Sequence, residues 1–301
     1  MHPLKLMAIK ALNAIFGLKG DSVPHVIGLY GLPRSGTTVL TAMIGAHSKA
    51  ASVYEPWHSK RLGHNQTHVA DLMPLVRARG REITLVCLKE TATKSDYLTH
   101  LEGLLDDAST VGHAGLIWIV RRPIDTFLSQ FAADRRWRKG TFRPDPRTLR
   151  YWAEITYATF CQMGNSLEKY NSRIVFYEHF TAFPEQTLRD LMPLAGLEFE
   201  IRQLDYHKTF ERRLVRGDRF VIDEARPVTI QVENKYASQI AELKEAYTGN
   251  EHLTYILELS GILSQYSDQG VITPPNSIVR EMIDCGINIF PKDEKTETGE
   301  F

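Results

Sequence analysis

Cysteine is scarce in this sequence: three residues, at positions 87, 161 and 285 of 301. An odd number so widely spaced forms neither a disulfide framework nor a Cys-x-x-Cys metal cluster, so a reducing, cytoplasmic setting is expected. Net charge is lacking as well. The 36 Lys and Arg are balanced by 36 Asp and Glu, which excludes the broad electrostatic grip that nucleic acid or an anionic membrane would need. Long apolar runs are also missing. Residues 1–20 place Leu4, Met7, Leu12, Ile15 and Phe16 at near-helical spacing, with Lys5, Lys10 and Lys19 and no acidic residue. Lys10 and Asn13 interrupt that pattern well short of the ~18 residues a spanning helix requires. A signal peptide would show a cleaner apolar centre and a small-residue cleavage site. The segment reads as an amphipathic N-terminal helix that either packs on the domain or makes peripheral contact with a membrane. Residues 291–301 are charged and read as a flexible tail.

What is present suits a folded protein. The chain is 43% hydrophobic and 24% charged, and residues 21–290 are enough for a single large domain with a well-buried core. Five short apolar runs stand apart: HVIGLY (25–30), ASVY (51–54), ITLVCL (83–88), GLIWIV (115–120) and RIVFY (173–177). Their near-continuous apolar character predicts parallel strands covered on both faces. Helical patterns fall between them, around 37–47, 68–79, 95–107, 123–137, 146–170 and 184–195, the fourth opening with Pro123 at a first-turn position. Residues 200–300 read as helix and loop. The alternation predicts an α/β fold of three layers, a central mainly parallel sheet flanked by helices.

The first chemical signal follows the first strand. In Gly31-Leu32-Pro33-Arg34-Ser35-Gly36-Thr37-Thr38 the two glycines are separated by four residues. That spacing belongs to a phosphate loop, which turns backbone N–H groups toward an anion at a helix N-terminus. An ATPase or GTPase would carry lysine where Thr37 stands; its absence argues against triphosphate hydrolysis. The positive charge sits inside the loop instead, as Arg34.

The second signal is Val120-Arg121-Arg122-Pro123-Ile124-Asp125, with Ser129 following on the helix. Arg121 lies at the carboxyl end of a predicted parallel strand, where open α/β sheets bind ligands. A forked, permanently charged donor and a hydroxyl two helical turns on could hold one phosphate.

Taken together, GLPRSGTT and VRRPIDTFLS resemble the two donor-binding motifs of the sulfotransferases that use 3'-phosphoadenosine-5'-phosphosulfate (PAPS). A third stretch, residues 173–200, is similar to that family's strand, Tyr-Glu turn and following helix, so the likeness spans roughly 25–200. The resemblance implies a P-loop-type fold, PAPS as donor and no metal, in keeping with the lack of any spaced His/Cys cluster. It implies that Arg34, Ser35, Gly36, Thr37 and Thr38 hold the 5'-phosphosulfate, while Arg121 and Ser129 hold the 3'-phosphate. Arg216 and Gly217, in a late basic stretch, match the family's loop over that phosphate only in part.

The resemblance also implies catalytic roles. Arg34 stands where the cytosolic branch has lysine; as a poor proton donor it suits electrostatic stabilisation of the leaving group. Tyr54-Glu55-Pro56 looks like the YEP segment of the carbohydrate and bacterial branch, and Glu55, between Tyr54 and Trp57, is the candidate general base. Lys89 resembles a lysine near the transferring sulfuryl. Thr91 occupies the place of the cytosolic branch's histidine base, which leaves Glu90 and His58 as rivals to Glu55. Tyr177 and Glu178 read as structural. The basic stretch 134–150 reads equally as an acceptor-facing lid or as a solvated helix end. The expected function is transfer of a sulfuryl group to a hydroxyl or amine of a small molecule, lipid or glycan. A kinase using ATP and Mg, or a non-catalytic nucleotide-binding adaptor, is the alternative.

Overall fold

A computed structural model describes residues 24–72, 75–76, 82–93, 96–111, 113–137, 144–209, 228, 235–273 and 276–290. Segments 1–20, 210–219 and 291–301, and with them Arg216 and Gly217, lie outside the described residues. The strands are β1 (His25–Tyr30), β2 (Ala50–Tyr54), β3 (Leu85–Lys89), β4 (Ala114–Val120), β5 (Asn171–Phe176) and β6 (Val271–Ile272). The helices are α1 (Thr37–Gly45), α2 (Val69–Leu72), α3 (Asp96–Val111), α4 (Pro123–Trp137), α5 (Pro146–Ser166), α6 (Tyr177–Ala182), α7 (Pro184–Leu191), α8 (Tyr206–Thr209), α9 (Ala237–Ala246), α10 (Glu251–Tyr266) and α11 (Asn276–Asp284).

The strands form one sheet in the order β2-β3-β1-β4-β5-β6. β1 through β5 pair in parallel and β6 pairs antiparallel to β5. Both faces are buried, as the continuous apolar runs require. Val26, Tyr30, Val86, Leu88, Leu116 and Trp118 pack to one side among residues of α3, α4, α5, α10 and α11. Ile27, Leu29, Leu85, Cys87, Ile117 and Ile119 pack to the other among residues of α1 and α7. The three-layer α/β arrangement expected from the sequence is the one observed.

Local differences have local causes. β3 starts at Leu85 rather than Ile83, because the Thr84 and Leu85 N–H groups turn to the Lys49 carbonyl. β5 stops at Phe176, and Tyr177 opens α6. The helix expected over 184–195 divides into α7 and a 3-10 turn, Met192–Ala195, where Pro193 brings no N–H, and it closes on left-handed Gly196. α5 is capped by Asp145, whose carboxylate accepts from Thr148 N at 2.8 Å.

Topology places the site. From β1 the chain runs through α1 to β2, leaving room for β3 between them, while β4 lies on the other side of β1. The loops after β1, β3 and β4 therefore open around one crevice at the carboxyl edge, the switch point where doubly wound sheets bind ligands. Among the described residues no helix is long and apolar enough to cross a membrane.

Candidate active site

The loop after β1 holds two glycines for two different reasons. At Gly31 an added Cβ would stand 2.4 Å from the Ile119 carbonyl oxygen on β4. At Gly36 the backbone is left-handed (φ 94°), and a Cβ would stand 2.5 Å from the Tyr177 ring. Arg34 is left-handed too, at φ 71°. The loop is tightened by Ser35, whose Oγ donates to the Leu32 carbonyl at 2.7 Å. Gly36 caps α1 without a side-chain hydrogen bond, so no side chain competes for the first N–H groups of that helix.

Arg121 and Ser129 lie against this loop. The Arg121 Nη1 donates to the Arg34 carbonyl at 2.8 Å, and the Arg34 Nε donates to Ser129 Oγ at 3.3 Å. The Arg121 guanidinium lies over the Tyr177 ring, 4.3 Å from its centroid. Two guanidinium groups and a hydroxyl from motifs about ninety residues apart thus share one place. Tyr177, read from sequence as structural, backs that place: it fills the space beside Gly36 and stacks on Arg121. Burial raises its phenol's pKa. Arg122 points elsewhere, bonded to Asp125 at 2.6 Å and facing Glu178 at 3.8 Å.

The other side of the loop carries Glu55 and Lys89. Alternation along β3 sends Leu85, Cys87 and Lys89 toward α1, and Lys89 Nζ donates to Thr38 Oγ1 at 3.0 Å. Lys89 also makes a short ion pair with Glu55. Both side chains are buried, at 4% and 8% exposure, so the charges are compensated where water does little screening. Glu55 therefore sits against a cation, rather than in a merely apolar setting between two aromatics. Its backbone is left-handed, φ 45°, and its N–H donates to the Lys89 carbonyl at 2.7 Å.

The rival bases are placed differently. Glu90 is fully buried, and its Oε1 accepts from the N–H groups of Trp57 (2.9 Å) and His58 (3.4 Å). Burial, with the Glu55 charge adding to it, pushes the Glu90 carboxyl up to about 8 against the donors that lower it. His58 is exposed, with Nδ1 3.3 Å from Thr93 Oγ1 and its ring beside Tyr97. Of the basic stretch 134–150, residues 138–143 lie outside the described residues, and Arg150 pairs with Glu154 at 2.7 Å on α5.

Known proteins give the following likenesses. Residues 92–201 match the family model described as "Sulfotransferase family". That span contains Arg121 and Ser129 but not the glycine loop. No curated protein matches. The sulfotransferase domain from the Synechococcus PCC 7002 olefin synthase shares 17% identity over 75% of this chain and 95% of its own, with TM-score 0.50. The sulfotransferase domain from the curacin biosynthetic pathway shares 16% over 79% and 97%, with TM-score 0.47. Mouse sulfotransferase SULT7A1, complexed with PAP, shares 13% over 85% and 94%, with TM-score 0.45. The family likeness thus lies in residues 92–201, the span that carries Arg121 and Ser129, and the sheet and its crevice share the fold of the olefin synthase domain.

Proposed function

We propose that this protein moves a sulfuryl group from PAPS to a hydroxyl-bearing acceptor by in-line displacement, and that PAPS is gripped at both of its phosphate ends. One observation carries the reading: the glycine loop has Arg34, Arg121 and Ser129 on one side and Thr38, Lys89 and Glu55 on the other. The first group is cationic and forked, as a 3'-phosphate requires. The second pairs a carboxylate with a cation beside the start of α1, as transfer to a hydroxyl requires. Loop N–H groups, Ser35, Thr37 and Thr38 fit the 5' end.

Glu55 takes the acceptor proton as the acceptor oxygen bonds to sulfur and the bond from sulfur to the bridging phosphate oxygen breaks. The electron pair of that bond leaves on the phosphate. Lys89, Thr38 and the N-terminus of α1 stabilise the charge that develops there. The ion pair with Lys89 holds the Glu55 carboxylate beside the start of α1. Arg34, directed at Ser129, puts its charge on the 3' side of the loop, so leaving-group stabilisation falls chiefly to Lys89. The YEP likeness favours a carbohydrate among the possible acceptors.

Two measurements test the proposal. 3',5'-diphosphoadenosine should raise the melting temperature well beyond ATP with Mg²⁺, and labelled PAPS should pass its label to a hydroxylated acceptor from a panel of sugars, lipids and phenols. An equal or larger response to ATP with Mg²⁺ would favour a kinase. Tight diphosphoadenosine binding without transfer to any acceptor would favour a nucleotide-binding adaptor.

A further inference from the structure

The turn that carries Glu55 is held from a neighbouring strand end by a single buried carboxylate. β2 ends at Tyr54, and the chain reverses through Glu55 and Lys60, whose backbones are left-handed at φ 45° and 56°. Neither is glycine, so the conformation is unfavourable unless its surroundings enforce it. Four hydrogen bonds do so at the Glu55 end. Glu55 N reaches Lys89 O at 2.7 Å and Ser59 N reaches Glu55 O at 2.8 Å. The consecutive N–H groups of Trp57 and His58 converge on Glu90 Oε1 at 2.9 and 3.4 Å. Pro56, between Glu55 and Trp57, brings no N–H. Glu90 is itself fixed, its N–H donating to Leu29 O on the central strand at 3.0 Å.

We propose that Glu90 is a positioning residue: it anchors the Glu55 turn to the end of β3 and so sets where the catalytic carboxylate stands relative to Lys89. This deepens the sulfotransferase reading and rests on it for the role of Glu55. The geometry suits an anchor rather than a second base. Glu90 has no solvent exposure, one oxygen is committed to backbone N–H groups, and Oε2 has no hydrogen-bond partner. The ionisable groups that face it are Glu55 and Lys89 on the adjoining strand ends, Tyr30 at the end of β1 and Tyr97 on α3. A carboxyl held in the neutral form there still accepts both N–H bonds through Oε1. Glutamine, which keeps that acceptor, should replace it.

The test compares Glu90→Ala and Glu90→Gln in the full chain. In Glu90→Ala the Trp57 and His58 amide protons should exchange with deuterium at least ~10-fold faster than in the unsubstituted protein, and in Glu90→Gln close to the original rate. With PAPS and an acceptor, Glu90→Ala should lose ~10-fold or more in kcat, and Glu90→Gln should recover most of that loss. Affinity for 3',5'-diphosphoadenosine should stay within about threefold in both, because the Arg121 side is untouched. Should Glu90→Ala fail to fold, Glu90→Asp, too short to reach the turn, takes its place. Unchanged exchange in Glu90→Ala, or a Glu90→Gln protein as slow as Glu55→Gln, overturns the proposal; the second result would make Glu90 the proton acceptor. Exchange needs no turnover. Faster exchange in a protein that transfers no sulfuryl group would therefore sink the reaction and leave the anchor standing.

Discussion

The two sides of the glycine loop carry different kinds of charged group. On the Arg121 side, the Arg121 guanidinium donates to the Arg34 carbonyl and rests on the Tyr177 ring, and the Arg34 guanidinium donates to Ser129 Oγ. On the Lys89 side, the cation is matched by Glu55, and a further carboxyl, Glu90, is pushed toward its neutral form. An ammonium at 4% exposure would be costly to bury without the Glu55 carboxylate beside it. The first arrangement suits holding a phosphate; the second suits handling a proton.

Substitutions should separate the two sides, the largest effect coming from the proton-handling one. Glu55→Gln should lower kcat with PAPS by ~10³-fold while affinity for 3',5'-diphosphoadenosine changes by no more than about threefold. A retained kcat would move the base elsewhere. Arg121→Ala should do the reverse, weakening diphosphoadenosine by about 1.5–3 kcal/mol, the worth of a charge-assisted contact. ADP, which has no 3'-phosphate, should bind nearly as before in a calorimetric titration; equal losses for both nucleotides would take Arg121 off the 3' end.

Gly36→Ala tests the loop that divides the two sides. With φ at 94° and the Tyr177 ring 2.5 Å from the new Cβ, it should cost about 1–3 kcal/mol of stability and weaken both nucleotides alike. An unchanged melting temperature would mean that the loop relaxes freely. Ser129→Ala removes one hydroxyl and should weaken diphosphoadenosine by ~1 kcal/mol, with no change in kcat at saturating donor.

A separate effect is one of pH. Glu90 has its pKa raised from 4.5 to about 8 in the folded protein. Between those values the folded state keeps a proton that the unfolded state has released, so stability falls as pH rises through the window and levels off above it. Glu90→Gln cannot titrate, so its denaturation midpoint should gain on that of the unsubstituted protein from about pH 5 to about pH 8. A constant gap would show that Glu90 is ionised throughout.

The comparison also explains what could be read in advance. The Arg121 side was legible because each part is a contiguous motif: a glycine spacing after a strand, and an arginine followed by a serine on a helix opening with proline. Helix and strand periodicity located those elements closely, and the strands before both motifs fall where the apolar runs put them. Tyr177 was not legible as part of the site, since nothing in its neighbours says that its ring meets Gly36 and Arg121. Nor was the anchoring by Glu90, because backbone N–H groups at Trp57 and His58 carry no side-chain signature. β6, two residues paired antiparallel to β5, is too short to leave a pattern.

Chain order and local chemistry alone determined the alternation of strand and helix, the phosphate-type turn and the choice of arginine over the lysine of triphosphate enzymes. These depend on neighbours within a few positions, where spacing and backbone freedom act directly. Only the tertiary structure decided that Lys89 pairs with Glu55, that Arg34 reaches Ser129 and that Glu90 secures the turn between them. Each of those contacts joins residues more than thirty positions apart, and they exist because β2 pairs with β3 and β1 with β4, which sets the ends of each pair side by side.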